Sequence, residues 1–555
     1  MTRGILGIDF GTTNSVCAWI ENGRPQVIPN DRGNRSTPSV VALSHSGEIL
    51  VGESAKNQAV ASPQTTLTGI KRRLGSRDPV RLGDRWYAPE EAASWIFGKL
   101  KRDSEAFLGF PVEQAVVSVP ARFGEPQRRA VKEAARRAGL EVPRLVNEPT
   151  AAAVARAFLE PEDADTERIV LVYDFGGGTF DVTVLAARGR VCEVLSSAGD
   201  DRLGGMDIDA LLYREASGVF RRDWGVDPDT DPFLAQQLMD LSERAKIELS
   251  SRSEVTITVP FLNAGRGLAH PSFELSRERL EDLARPLVER SLDLVRLALE
   301  EAEKRPKDID ALVLSGGSSR IPLVRSLLAD YLPLEPESRV NPEEIVAVGA
   351  AVEAAILSGG AGGFGVRDVN SRTYGVEIEG GRFVALLPRN EPLPSRRRRV
   401  FTTVADDQES VEIHILQGES DSASDNISLG RFLLPGIRKA RKGEPRIQVE
   451  FSIDESDLLR VRAMDLDTRT EQAVVVTGSG AYGGDAEKLA RLAARVRALA
   501  GAEDLDNGFR SEIEELLLRA AWAVESGSEE DRLLVRGSLE AVAGELLARK
   551  RVTSV

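Results

Sequence analysis

Asp9-Phe10-Gly11-Thr12-Thr13 near the start of the chain returns in its middle as Asp174-Phe175-Gly176-Gly177-Gly178-Thr179. An apolar run precedes each copy, residues 5–8 (ILGI) and residues 169–173 (IVLVY), and reads as a buried strand. A second strand-like run follows each, residues 15–20 (SVCAWI) and residues 180–186 (FDVTVLA). Each copy is therefore a strand, a tight Gly/Thr turn and a returning strand. Glycine lets the turn bend sharply and brings backbone N–H groups against an anion. Threonine hydroxyls add donors, and the aspartate that ends the strand offers a hard oxygen suited to hydrated Mg2+. A single Gly/Thr turn is commonly just a hairpin connection. Its duplication predicts two hairpins that face one another, a two-lobed clamp for a polyphosphate.

Composition narrows the class. With 555 residues several domains are expected, and a 42% hydrophobic fraction suffices for large cores. A net charge of −15 argues against bulk nucleic-acid binding. No apolar run reaches about 18 residues, so no membrane span is expected. Met1-Thr2-Arg3-Gly4 leads straight into a strand without the pattern of a signal peptide. Cys17 and Cys192, both in strand-like runs, are read as buried free thiols, which points to the cytoplasm. His45, His270 and His414 are too scattered for a His-based metal site.

Residues 1–358 alternate strands and helices. Helices are predicted over 125–138, 233–250 and 277–303, and a buried strand over 311–314. Asn341-Pro342-Glu343-Glu344 predicts a helix start, with a cap, a first-turn proline and acids at the positive end. Five glycines within residues 359–365 read as a linker. Short strand-like runs then follow one another over residues 374–477 (FVALL, VFTTV, SVEIHIL, RIQVEFSI, LLRVRAM, EQAVVV) and predict a β-sandwich. Arg396-Arg397-Arg398-Arg399 reads as a solvated loop of that domain. Residues 478–483 (GSGAYG) fit a dinucleotide-binding pattern, but only helices follow, so they read as a hinge. The remainder is Ala/Leu/Glu/Arg-rich with helical periodicity.

Five segments of the first part stand in order: residues 8–15 (IDFGTTNS), 146–153 (VNEPTAAA), 174–181 (DFGGGTFD), 244–251 (RAKIELSS) and 314–322 (LSGGSSRIP). The β-rich part adds residues 413–418 (IHILQG) and 424–430 (SDNISLG). Together they resemble the seventy-kilodalton heat-shock chaperones, the DnaK family, over residues 4–476. The resemblance implies an actin-like (ribonuclease H-like) α/β ATPase domain over 1–358 and an interdomain linker over 359–373. It further implies an all-β sandwich that binds peptides over 374–477 and a short α-helical lid over 478–555. The implied activity is ATP-dependent chaperoning. ATP is hydrolysed to ADP and phosphate with Mg2+, and unfolded or hydrophobic peptide segments are held. A J-domain co-chaperone and a nucleotide exchange factor are the implied partners, with neither nucleic acid nor membrane. A small-molecule kinase or a filament-forming ATPase could share the first domain, but neither needs the β-rich part.

Carried onto this sequence, the resemblance makes Asp9 and Asp174 the holders of Mg2+ through its water shell. Gly11, Thr12, Thr13, Asn14, Gly176, Gly177, Gly178 and Thr179 would cradle the phosphates, with Gly204 and Gly205 as a further phosphate-side loop. Lys71 would neutralise the transferring phosphoryl group, and Glu148, Asp174, Thr179 and Asp181 complete the catalytic set. Glu243, Lys246 and Ser250, at helical spacings of three and four, match ribose and adenine contacts. Gly316, Gly317, Ser318, Arg320 and Glu343 match the opposite wall. Read alone, a lysine in a basic cluster or a polar trio on one helix face is solvated surface; the resemblance promotes them. Arg144, Asn147 and Thr150 match positions that couple J-domain partners to hydrolysis, and Pro120 and Arg128 an interdomain relay. In the sandwich, Val411 matches a central apolar pocket with Phe401 and Ile413 beside it, and Glu379 and Val404 arch over the peptide. An acid in the arch implies a preference for apolar peptides with basic flanks. The chain departs from the family in three places. The linker reads Phe364-Gly365-Val366-Arg367-Asp368, whose charged Arg367 would resist burial and weaken coupling. The tail is short for a full lid, and the segment between Lys71 and Val119 is trimmed.

Overall fold

The computed structural model describes residues 4–475, apart from 77, 161–165, 261, 264–267, 338–340, 361–363, 371 and 455–458, and only scattered positions beyond 475. The lid expected over 478–555 and the hinge over 478–484 therefore lie outside the described residues. The chain divides into two compact units, Met1–Ser371 and Arg372–Val555.

The first unit holds two sheets of related topology. In one, the central strand Ile5–Asp9 has Gln114–Val119 parallel on one side and the hairpin partner Asn14–Glu21 on the other. Arg24–Ile28 and Glu141–Asn147 complete its edges. In the other, Glu167–Phe175 is central, with Ala311–Ser315 parallel and Phe180–Arg188 antiparallel. Val191–Asp200 follows as the third strand. The place held by Glu141–Asn147 in the first sheet is taken in the second by a single parallel bridge, Val313 to Glu337. Both central strands are apolar because both their faces are covered. Leu6 and Ile8, like Leu171 and Tyr173, are fully buried. Asp9 ends the first of these strands and Asp174 is next to last in the second, so the duplicated turns project from equivalent ends of the two sheets.

Two alanine-rich helices, Glu148–Leu159 and Ile345–Leu357, form the core between the sheets. Small side chains set their spacing. A Cβ on Gly349 would stand 1.8 Å from the Ala151 carbonyl oxygen, and one on Gly7 would stand 2.2 Å from the Ala351 nitrogen. The second of these helices starts later than expected. The Asn341 carbonyl accepts from the N–H groups of Glu344 and Ile345, and its side chain accepts from Glu343 and Arg320. These bonds close a turn, and regular helix begins at Ile345.

The residues read as a linker contain a strand. Gly365–Arg367 pairs in parallel with Val191–Glu193 at the edge of the second sheet. Phe364 packs against Phe158 at 5.3 Å between ring centres, with the Arg190 guanidinium 5.1 Å from its ring. Arg367 stays outside, 3.9 Å from Glu193. The expectation that Arg367 would oppose docking is therefore corrected: the pairing uses backbone groups and leaves the charge in water. Cys17 and Cys192 are free and buried.

The second unit is built from two four-stranded antiparallel sheets around one core. One sheet runs Arg382–Leu387, Tyr374–Ile378, Ser410–Gln417, Ile427–Pro435, and the other runs Ser395–Phe401, Ile447–Ile453, Leu459–Asp465, Glu471–Val475. Alternation is strict where the core is deepest: Ile447, Val449, Phe451 and Ile453 point inward. The arginine run is a correction to the sequence reading. Arg396, Arg397, Arg398 and Arg399 lie within the edge strand Ser395–Phe401, not in a loop. Arg396 and Arg398 share Glu450 at 2.5 Å each, and Arg397 reaches Glu391 at 2.5 Å, so counter-ions make the charge tolerable on a strand.

Candidate nucleotide site

The two turns face each other across a cleft of about 290 Å³. They meet so closely that a Cβ on Gly177 would stand 2.1 Å from the Thr13 hydroxyl, and one on Gly178 would stand 2.3 Å from that of Thr12. Only glycine fits there. Gly204 and Gly205 back the second turn: Gly205 N–H donates to the Gly176 carbonyl at 3.0 Å, and Met206 N–H to that of Gly177 at 2.8 Å.

At the floor lies a concentration of carboxylates around Lys71. Lys71 is buried and donates to Glu148 Oε1 at 2.5 Å. Asp9 accepts from Ser118 Oγ at 2.7 Å. Burial first, and the charge of Glu148 second, push the Asp9 carboxyl from 3.8 to about 6. The same two causes raise Asp174 and Asp181 well above the usual carboxylate range. Both Asp181 oxygens are buried and have no hydrogen-bond partner among the described residues. Such a site calls for added positive charge. Asp9 and Asp174 are the hard oxygen donors that suit Mg2+, an ion that keeps most of its own waters. The residues present thus fit the ion.

Asp9, Gly11, Thr12, Thr13, Asn14, Lys71, Glu148, Asp174, Gly176, Gly177 and Thr179 all line the cleft, as do Glu243, Lys246, Ser250, Gly316, Gly317, Ser318, Arg320 and Glu343. Gly178, Asp181, Gly204 and Gly205 stand behind this lining. Several members are already engaged. Glu243 receives Lys56 at 2.7 Å, which ties the helix Glu53–Gln58 to the helix Pro232–Leu249. Lys246 pairs with Asp209 at 2.8 Å and Arg320 with Glu343 at 2.9 Å.

Sequence reasoning missed Ser118, Asp209 and Arg72. The Arg72 guanidinium donates to the Gly178 carbonyl at 2.9 and 2.6 Å and to Asp207 at 2.6 Å, clamping the second turn. Its place next to Lys71 was the available signal. Arg128 donates to Asn147 at 2.6 Å, and Asn147 and Thr150 both donate to Asp368, at 3.0 and 3.1 Å. Asp368 directly follows the docked strand Gly365–Arg367. Arg144 pairs with buried Glu353 at 2.7 Å.

In the sandwich, Ile413 is a core residue, while Phe401 and Val411 are half-buried against that core. Val404 is exposed in the following loop. Glu379, in the turn after Tyr374–Ile378, is exposed and 3.6 Å from Lys442.

A family model described as Hsp70 protein matches residues 5–81 and 79–525. The chain belongs to the Hsp70 family. Chaperone proteins DnaK of Thermotoga neapolitana and Thermotoga maritima are each 45% identical over 482 residues, covering 85% of this chain and 80% of theirs. As an Hsp70 this protein is an ATP-dependent molecular chaperone, an ATPase that uses ATP, ADP and Mg2+ and binds unfolded peptide. Among its described residues no helix is long and apolar enough to cross a membrane.

Proposed function

We propose that the cleft between the duplicated turns is the ATPase centre of an actin-like domain and that the end of the sandwich bearing Val411 holds the client peptide. The observation that carries the first part is the buried Lys71–Glu148 pair set among Asp9, Asp174 and Asp181. When bound, Mg2+ supplies charge neutralisation along the phosphates. Lys71 stabilises charge that grows on the transferring phosphoryl group. Glu148 holds the Lys71 ammonium in place and, with Asp181 and Thr179, orients the attacking water. The Gly/Thr turns present backbone N–H and hydroxyl donors. Glu243, Lys246, Ser250 and the 316–320 loop form the nucleoside walls.

The half-buried Phe401 and Val411 support the groove. Asn147, Thr150 and Asp368 are the proposed link by which a J-domain co-chaperone and the linker reach Glu148, and a nucleotide exchange factor is the proposed second partner. The proposed setting is the cytoplasm, with a helical lid over 478–555. ATP turnover with and without an unfolded peptide is the test. Peptide-stimulated hydrolysis is expected. Phosphoryl transfer to a small molecule would support a kinase, and nucleotide-dependent filaments an actin-like polymer.

A further inference from the structure

Three of the four consecutive arginines have counter-ions: Arg396 and Arg398 share Glu450, and Arg397 has Glu391. Arg399 differs. It is exposed and meets no carboxylate among the described residues. Its guanidinium lies 6.0 Å from the centre of the Phe401 ring. Strand alternation puts Arg399 and Phe401 on one face, the face turned toward the core. Register brings the Glu379 turn, the 402–409 loop and the 436–446 loop to the same end of the sandwich, because Ser410 pairs with Pro435 and Phe401 with Ile447.

The acids at that end are largely engaged. Glu379 has Lys442 at 3.6 Å, Glu409 has Lys439, and Glu412 has Arg431 at 2.7 Å. Asp406 accepts from the Lys442 backbone, and Asp407 adds its field to Lys439. The expected attraction of Glu379 for basic flanks is thus met from within the chain. Arg399 is thus a cation beside the apolar surface with no carboxylate partner among the described residues.

We infer that Arg399 is a specificity-determining residue that favours apolar peptide segments flanked by aspartate or glutamate. This rests on the groove assignment above. The Phe401 ring limits the freedom of the guanidinium, which presents a flat fork to a carboxylate.

The test is fluorescence anisotropy on the full chain at low salt, with one apolar heptapeptide core flanked either by aspartates or by lysines. The aspartate-flanked peptide should bind tighter by about two- to fivefold, the range of an exposed ion pair. Added salt should shrink the gap. Arg399→Gln should erase the preference and Arg399→Glu should invert it. Equal or tighter binding of the lysine-flanked peptide, or a preference that survives in Arg399→Gln, overturns the inference. Val411→Phe distinguishes the two readings. If it leaves both affinities unchanged, or if neither peptide binds the wild type, the groove assignment fails and the inference falls with it.

Discussion

Lys71 and Glu148, 77 positions apart in sequence, form a 2.5 Å ion pair inside the protein, set beside the carboxylates of Asp9, Asp174 and Asp181. Lys71→Ala should leave nucleotide binding largely intact and lower turnover by about 10²- to 10³-fold, because the charge acts on the transition state. Single-turnover hydrolysis alongside calorimetric ADP binding checks this. Near wild-type turnover would remove Lys71 from the mechanism.

Asp9 should make Mg2+ action depend on pH. Its folded value, raised from 3.8 to about 6, means that the folded protein holds this proton more tightly than the unfolded chain does. The contribution of Asp9 to stability is therefore fully present below the unfolded value and is lost as pH rises toward 6. Without Mg2+, Asp9→Asn should melt higher relative to wild type at about pH 7 than at about pH 4. Adding Mg2+ with ADP should stabilise wild type more at the higher pH and the variant little at either. Thermal melts that differ by a constant amount across this range would contradict the assignment.

Asp174→Asn should weaken ADP binding in Mg2+ more than in chelator, since Asp174 lines the cleft beside the second Gly/Thr turn. A calorimetric loss of equal size in both buffers would remove Asp174 from the metal site.

Arg367 stands in solvent, so Arg367→Leu should alter peptide stimulation of ATPase by less than about twofold. Asp368→Ala removes the acceptor shared by Asn147 and Thr150. Stimulation should fall by at least about fivefold, the lower range of site-to-site coupling. Steady-state turnover across a peptide titration decides between them, and the reverse order of effects would show that Asp368 is only a local anchor.

Ile413 and Val411 should separate stability from binding. Ile413 is 6% exposed, so Ile413→Ala should destabilise the sandwich by about 2–5 kcal/mol in urea unfolding. Val411→Phe, at a half-buried rim position, should leave the unfolding midpoint near wild type and reduce peptide affinity at least about tenfold. A large loss of stability in the second variant would make Val411 a packing residue.

The duplicated turns were legible in the sequence because each is a local pattern, a strand, Gly/Thr residues and a strand, that needs no distant partner to be recognised. The sandwich is legible through its alternation, although two strands, Tyr374–Ile378 and Ile427–Pro435, are not: Gly375 in the first, and Gly430 and Pro435 in the second, dilute the pattern. Partners set by tertiary packing were not legible. Nothing local to Ser118, Asp209 or Lys442 announces a bond to Asp9, Lys246 or Glu379. The arginine run failed for a related reason. Charge density alone suggests a solvated loop, and only the position of Glu450 on the neighbouring strand permits Arg396 and Arg398 to stay in a sheet.

The helices Glu148–Leu159 and Ile345–Leu357 touch through alanines and a glycine instead of long interlocking side chains. Surfaces with such shallow ridges behave as a bearing: one can slide on the other without lifting side chains out of deep grooves. Glu148 opens the first of these helices, so a small rotation at the bearing would be felt at once by the base of Lys71. Widening the contact by a single methyl, as in Gly349→Ala, would force the two helices apart, because that methyl would stand 1.8 Å from the Ala151 carbonyl oxygen, and the bearing would carry the displacement to Glu148 and on to Lys71.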